Sequence, residues 1–268
     1  MNISVKNLSF TFPSGIKALN GISLDVRAGE KVAIVGQNGA GKTTLVRHLN
    51  GLLQPTQGTV TIGDWDTHDT SIAQMAARVG YVFQNPDDQL FSRSVLAELE
   101  FGPNNLKFVP EKVKEVVQDA VSLADLTGKE AINPYDLSPA WRKMVAMGAI
   151  ISMDTPILIL DEPTTGQDAR NVARIAHIVQ TLHQRGKTII AVTHDIDFCA
   201  ENFDRIIVMK NGHILLDGPT HEVIVRTDTL AETFVDPPQL TRLAQRLGLE
   251  TGVRNPAELL DLLQASIK

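Results

Sequence analysis

The 268-residue chain carries a formal net charge of −6, with 43% apolar and 21% charged residues. That balance suits a globular protein with a sizeable core and argues against a generic nucleic-acid binder, so no nucleic-acid partner is expected. The single cysteine, Cys199, excludes an internal disulfide and a cysteine-based zinc cluster; residues 1–6 show no signal-peptide pattern; and no run of ~18 apolar residues is present, so any membrane contact is expected through partners only.

Residues 1–30 alternate as strands do, at Ile3-Ser4-Val5, Leu8-Ser9-Phe10-Thr11-Phe12 and Ile22-Ser23-Leu24-Asp25-Val26, with turns at Pro13-Ser14-Gly15 and Ala28-Gly29-Glu30. They predict a small antiparallel layer. Phe12 has two readings, a ring that stacks on adenine or a core residue of an alternating strand. Lys31-Val32-Ala33-Ile34-Val35 predicts a buried strand, and a helical pattern begins at Leu45. Between them lies Gly36-Gln37-Asn38-Gly39-Ala40-Gly41-Lys42-Thr43-Thr44, which fits G-x-x-x-x-G-K-[ST] in the strand–loop–helix context that motif requires. Glycines let the backbone wrap a polyphosphate, and the amides and helix N-terminus supply positive potential. Lys42 is expected to reach the β- and γ-phosphates and the Thr43 hydroxyl to ligate Mg²⁺.

Next, Thr59-Val60-Thr61-Ile62 and Val79-Gly80-Tyr81-Val82-Phe83 predict strands, the latter ending at Gln84. Asn85-Pro86-Asp87-Asp88-Gln89 is polar and turn-like, and Asp87, Asp88 and Gln89 are expected to line a groove for a basic helix of a membrane partner. Helical periodicity through Val113, Val116, Val117, Ala120 and Leu123 places a helical subdomain at about 86–150. Ile157-Leu158-Ile159-Leu160 predicts a central strand buried on both faces, with Asp161 and Glu162 at its C-terminal end, where open α/β sheets place ligands. Asp161 is expected to hold Mg²⁺ through its water shell and Glu162 to polarise an attacking water. After an amphipathic helix from Val172 to Gln184, the strand Thr188-Ile189-Ile190-Ala191-Val192-Thr193 leads to His194, a candidate partner of the γ-phosphate and the water. Residues 205–216 predict a hairpin with an Asn211-Gly212 turn. The remainder reads as helices divided by Pro237-Pro238, with Leu240, Leu243 and Leu247, and Leu259, Leu260 and Leu263, at helical spacing. That tail either packs on its own domain or makes a dimer contact.

In this order the motifs resemble the nucleotide-binding subunit of ATP-binding-cassette (ABC) transporters, over roughly residues 1–225. The resemblance implies an α/β P-loop NTPase: a RecA-like core with an antiparallel β layer and a helical subdomain over 1–216, then a C-terminal helical extension over 217–268. It implies ATP and Mg²⁺ as cofactors. Gln84 matches the family's glutamine loop, Leu137-Ser138-Pro139-Ala140-Trp141 the signature usually written LSGGQ, Thr165-Gly166-Gln167-Asp168 the loop that crosses to a sister subunit, and His194 the switch histidine. It thus assigns Phe12, Gln84 and Ser138 to the nucleotide, Thr43, Gln84 and Asp161 to the metal, and Glu162 and His194 to catalysis. The Asn85–Gln89 stretch and Pro237-Pro238-Gln239-Leu240-Thr241-Arg242-Leu243 are similar to segments of energy-coupling-factor ATPases, whose transporters import vitamins or transition-metal ions. The implied partners are a second ATPase subunit, a transmembrane coupling subunit and a substrate-binding membrane subunit, and the implied location is the cytoplasmic face of the membrane. The signature departs from pattern at Pro139, Ala140 and Trp141, which favours a heterodimer over a homodimer. An ATPase for an ordinary importer, and a soluble ABC ATPase outside transport, are the alternatives.

Overall fold

The computed structural model describes residues 1–249 and 251–266. Strands β1 (Ile3–Thr11) and β2 (Lys17–Val26) pair antiparallel, and β1 pairs on its other edge with β4 (Gln57–Ile62). A short β5 (Trp65–Asp66) completes this four-stranded layer. The two alternating stretches before the first turn form one strand. A register irregularity between Val5 and Leu8, around Asn7 at φ +50°, shifts the alternation so that Ile3, Val5, Leu8 and Phe10 all face the core.

The second sheet has six strands in the order β10-β9-β3-β8-β7-β6. These are β3 (Lys31–Val35), β6 (Val79–Val82), β7 (Ile157–Asp161), β8 (Thr188–Val192), β9 (Arg205–Lys210) and β10 (His213–Pro219). All neighbours are parallel except β9 and β10, which form the expected hairpin. Every residue of β3, β6, β7 and β8 is buried, which is why these segments read as unbroken apolar runs.

One core lies between the two sheets. It takes Leu45, Val46 and Leu49 from α1 (Lys42–Leu49), and α2 (Ile72–Met75) adds Met75. A second core covers the other face of the six-stranded sheet. There α3 (Val95–Asn105), α4 (Pro110–Leu123) and α5 (Pro139–Ile151) build the helical subdomain, and α6 (Ala169–Gln184) and α7 (Ile196–Asn202) complete the layer.

Strand β10 runs to Pro219, three residues past the expected boundary at 216, and the helical extension starts at α8 (Thr220–Val223). It continues through α9 (Thr227–Ala231), α10 (Gln239–Arg246) and α11 (Pro256–Ser266); residues 250, 267 and 268 of the expected extension lie outside the described residues. The tail packs on its own domain. Val223, Ile224, Leu230 and Val235 enter the large core, the Arg254 guanidinium donates to the carbonyls of Ala200 (3.0 Å) and Phe203 (3.2 Å), and the Gln239 N–H donates to Asp197 Oδ1 at 2.8 Å. Leu240, Leu259 and Leu263 join a small cluster with Ala244 and Val253, whereas Leu243, Leu247 and Leu260 are exposed.

The β9–β10 turn positions the phosphate loop. Asn211 and Gly212 sit at φ +48° and +76°, the type I′ signature. The Gly212 N–H donates to the Ala40 carbonyl at 3.0 Å, and its carbonyl accepts from Asn20 N–H at 3.0 Å. A Cβ at Gly212 would lie 2.7 Å from the Ala18 carbonyl oxygen, while one at Gly186, at φ +80°, meets nothing within 4 Å. The left-handed conformation alone costs ~1–2 kcal/mol for a side-chain-bearing residue, or roughly 2–8 °C in Tm at this size. Gly186→Ala is predicted to show that loss. Gly212→Ala is predicted to lose clearly more and to weaken ligand binding at the loop; equal Tm shifts in thermal unfolding would refute the buttress.

Candidate active site

Three strands deliver the site. Ile34 of β3 and Asp161 of β7 both pair with Val192 of β8, so the three strands end at one level, and the residues that follow share one mouth. After β3 the backbone turns at Gly36, where φ is +147° and a Cβ would lie 2.1 Å from the Met209 carbonyl oxygen. Gly41, at φ +100°, precedes α1 and leaves no room for a side chain against Ala18 and Leu19. These contacts press the loop against β2 and β9, so its glycines are required sterically.

Lys42 is buried, and its ammonium donates to the carbonyls of Gly36 (2.7 Å) and Gln37 (3.1 Å). Burial lowers its pKa, and the charges of Glu162 and Asp161 oppose that shift. Thr43 Oγ1 donates to Asp161 Oδ1 at 3.1 Å, and the Tyr81 hydroxyl donates to Asp161 Oδ2 at 2.6 Å. Glu162 has φ +48°, in the left-handed region, just before Pro163, and its N–H donates to the Val192 carbonyl at 2.7 Å. Its Oε2 accepts from Thr165 Oγ1 at 3.2 Å and lies 2.9 Å from His194 Nδ1. A strained residue just past a buried strand end, gripped from three sides, is a mark of functional geometry.

Loop residues 38–44, Gln84 and Glu162 line a cavity of about 150 Å³. Gly36, Gln37, Asp161 and His194 are not among its walls but contact residues that are, Gly36 and Gln37 at Lys42, Asp161 at Thr43 and His194 at Glu162. Phe12 and Ser138 are not among its walls. Phe12 is half-buried and meets Phe10 edge-to-face at 4.9 Å. Ser138 is exposed and caps α5, accepting from the Trp141 N–H at 3.4 Å. Lys129 and Arg174 lie against the Trp141 ring, 4.1 and 4.8 Å from its centroid.

The stretch after Gln84 differs from expectation. Gln89 turns inward, its Oε1 accepting from the Phe83 N–H (3.1 Å) and its Nε2 donating to the Ala146 carbonyl (2.8 Å). Asp87 pairs with Arg142 of the same chain at 2.7 Å. Both side chains are thus tied to α5; Gln89 also lines a cavity with Phe91 and Phe101, whereas Asp87 and Asp88, both exposed, are not among its walls. The adjacent Lys143 ammonium donates to the carbonyls of Phe83 (3.2 Å) and Gln84 (2.5 Å), and burial pushes its pKa down to about 8, against the pull of Asp161 and Glu162. Sequence reading passed over Tyr81 and Lys143. Tyr81 lies in a run that reads as core; a lysine just before the apolar stretch Met144–Ile151 was a visible signal of a buried cation needing acceptors.

The donor set of Thr43 and Asp161 is hard oxygen, suited to Mg²⁺. Among the described residues no three His, Cys, Asp or Glu side chains gather as a protein-only metal site, so a metal here needs phosphate or water oxygens as well. A phosphate loop and an acidic strand end on a mainly parallel sheet define a P-loop NTPase. The ABC transporter family model matches residues 19–165, just over half of the chain. A putative ABC transporter ATP-binding protein of Caldanaerobacter subterraneus subsp. tengcongensis is 39% identical over 92% of this chain, which spans only 43% of that relative's length. The energy-coupling factor transporter ATP-binding protein EcfA2 of Methanospirillum hungatei is 38% identical over 98% of this chain and 67% of its own. The structure of cbiO1 from Clostridium perfringens, part of the ABC transporter complex cbiONQ, superposes with a TM-score of 0.77 at 32% identity, covering 92% of this chain and 98% of that one. The chain belongs to the ABC transporter family and carries its ATP-hydrolysing cassette.

Two predictions follow the geometry. Lys42→Ala removes a charge-assisted phosphate contact worth ~1.5–3 kcal/mol, so calorimetry should show ATP affinity falling roughly ten- to a hundredfold. Glu162→Gln should retain ATP binding and lose ~10²–10⁴ in turnover, the usual scale for a lost general base. Turnover within about twofold of wild type would remove Glu162 from that role.

Proposed function

We propose that this chain is the ATP-hydrolysing subunit of an energy-coupling-factor type membrane importer of vitamins or transition-metal ions. The supporting observation is that Lys42, Thr43, Gln84 and Glu162 share one cavity, with Asp161 bonded to Thr43, in a cassette with helices 220–266 docked on it and a chain aligned over 98% of its length with EcfA2. In this reading Lys42 and the loop N–H groups hold the β- and γ-phosphates, and Phe12 faces the adenine. Thr43, Asp161 and Gln84 would hold Mg²⁺, which neutralises charge on the phosphate oxygens. Glu162 takes the proton of the attacking water. His194, at Glu162 Oε2, fixes the carboxylate and reaches toward the γ-phosphate.

A loop exposed on one side needs a cap, and the sister ATPase supplies it through its signature helix. In this chain that helix starts poorly for the purpose. Pro139 has no N–H, and the Trp141 N–H is turned to Ser138 Oγ. The preferred sister is therefore a different ATPase subunit with an intact signature. The membrane side is a cavity of about 480 Å³ walled by Gln89, Phe91, Phe101 and Met153, with Phe91 and Phe101 exposed and edge-to-face at 4.7 Å. A transmembrane coupling subunit docked there, with a substrate-binding membrane subunit, holds this chain as a peripheral protein on the cytoplasmic face. Among the described residues no helix is long and apolar enough to cross a membrane.

Purification in mild detergent should recover a second ATPase and a transmembrane subunit with this chain. In that complex, Glu162→Gln here should remove most ATPase activity, whereas the matching change in the partner should remove little. The defective cap slows the partner's site by roughly ten- to a hundredfold if one charge-assisted bond is lost. Equal loss from both changes, or a fully active complex of two copies of this chain, would sink the asymmetric pairing.

A further inference from the structure

We infer that Tyr81 is a positioning residue that fixes which oxygen of Asp161 is offered to the divalent cation; this rests on the reading of Asp161 and Thr43 as its protein ligands. Tyr81 stands on β6 opposite Ile159 of β7, two residues before Asp161. Its ring is 5% exposed and meets Phe83 edge-to-face at 5.0 Å. Its hydroxyl donates to Asp161 Oδ2 at 2.6 Å, while Thr43 Oγ1 donates to Oδ1 at 3.1 Å. The two carboxylate oxygens are therefore unequal. Oδ1 faces the phosphate-loop helix, and Oδ2 is closed off by a buried phenol.

Arg47, four residues after Thr43 on α1, is a positive charge near the phenol. The hydrogen bonds thus run from Tyr81 of β6 to Asp161 of β7 and from Asp161 to Thr43 of α1. A phenol is protonated at physiological pH and Asp161 Oδ2 can only accept, so the hydroxyl is the donor.

A free carboxylate swings about its terminal torsion and presents either oxygen or both. Mg²⁺ demands near-ideal octahedral geometry and dehydrates reluctantly, so a ligand held in one orientation binds it at a lower entropic cost. Hydrogen-bond partners of metal ligands typically contribute 10–100-fold to metal affinity. Removing the Tyr81 hydroxyl frees that torsion and leaves Oδ2 buried without its donor. The nucleotide's own contacts with the loop are untouched.

The test uses the full chain, with Mn²⁺ as a paramagnetic probe and a non-hydrolysable ATP analogue. Tyr81→Phe keeps the ring on Phe83, and Tyr81→Met serves if the first variant fails to fold, with Tm measured for each. Mn²⁺ affinity for the analogue-loaded chain, read by EPR, is expected to fall ~10–100-fold. Analogue affinity in EDTA should stay within about twofold, and the Mg²⁺ requirement for ATPase should rise more than the maximal rate falls. Asp161→Asn separates the two readings. If Asp161→Asn loses Mn²⁺ and the Tyr81 variants bind it as wild type does, the Tyr81 role is wrong and the Asp161 reading stands. If Asp161→Asn binds Mn²⁺ normally, Asp161 is no ligand and both fall. A Tyr81 variant with lowered Tm and unchanged Mn²⁺ affinity marks the residue as packing only.

Discussion

The shared register of β3, β8 and β7 is the constraint on which the site depends. Val192 pairs with Ile34 on one side and with Asp161 on the other. Because parallel strands run the same way, that pairing brings Gly36, Glu162 and the segment leading to His194 to one edge. A one-residue slip in β7 would send Asp161 to the other face of the sheet and separate it from Thr43. Burial on both faces makes such a slip costly, since the strands carry almost nothing but aliphatic side chains. Packing energy thus fixes the geometry of a polar site that the polar residues alone could not organise.

The polar residues answer with a closed set of contacts. Asp161 is satisfied on both oxygens, Glu162 is held by a backbone and two side-chain partners, and Lys42 rests on loop carbonyls. Buried charge is tolerated only with such partners. The left-handed backbone of Glu162 costs on the order of 1–3 kcal/mol, and the surrounding sheet and Pro163 hold it there.

Much of this was legible in the sequence, for physical reasons. The loop glycines, the apolar run before Asp161 and the Asn211-Gly212 turn are local patterns, and local sterics decide them. What escaped was decided by tertiary contact. Nothing in the polar stretch after Gln84 shows that Gln89 folds inward to bridge Phe83 and Ala146, because its partners are backbone groups and one of them lies 57 residues away in sequence. Tyr81 reads as one more core aromatic until β7 lies beside it. The irregularity at Asn7 breaks the period-2 pattern between Val5 and Leu8. In the tail, helical spacing was visible at six leucines, but only the fold distinguishes Leu240, Leu259 and Leu263, which pack, from Leu243, Leu247 and Leu260, which do not.

Arg142, Lys143 and Gln89 together fasten the Gln84 segment to the first turns of α5. The consequence is mechanical. Any rotation of α5 must drag Gln84 along or break all of these bonds, so the loop and the helix work as one lever with no backlash. Phe91 lies two residues past Gln89, so the exposed aromatic pair is joined by a short, fastened segment to Gln84 at the wall of the phosphate-loop cavity.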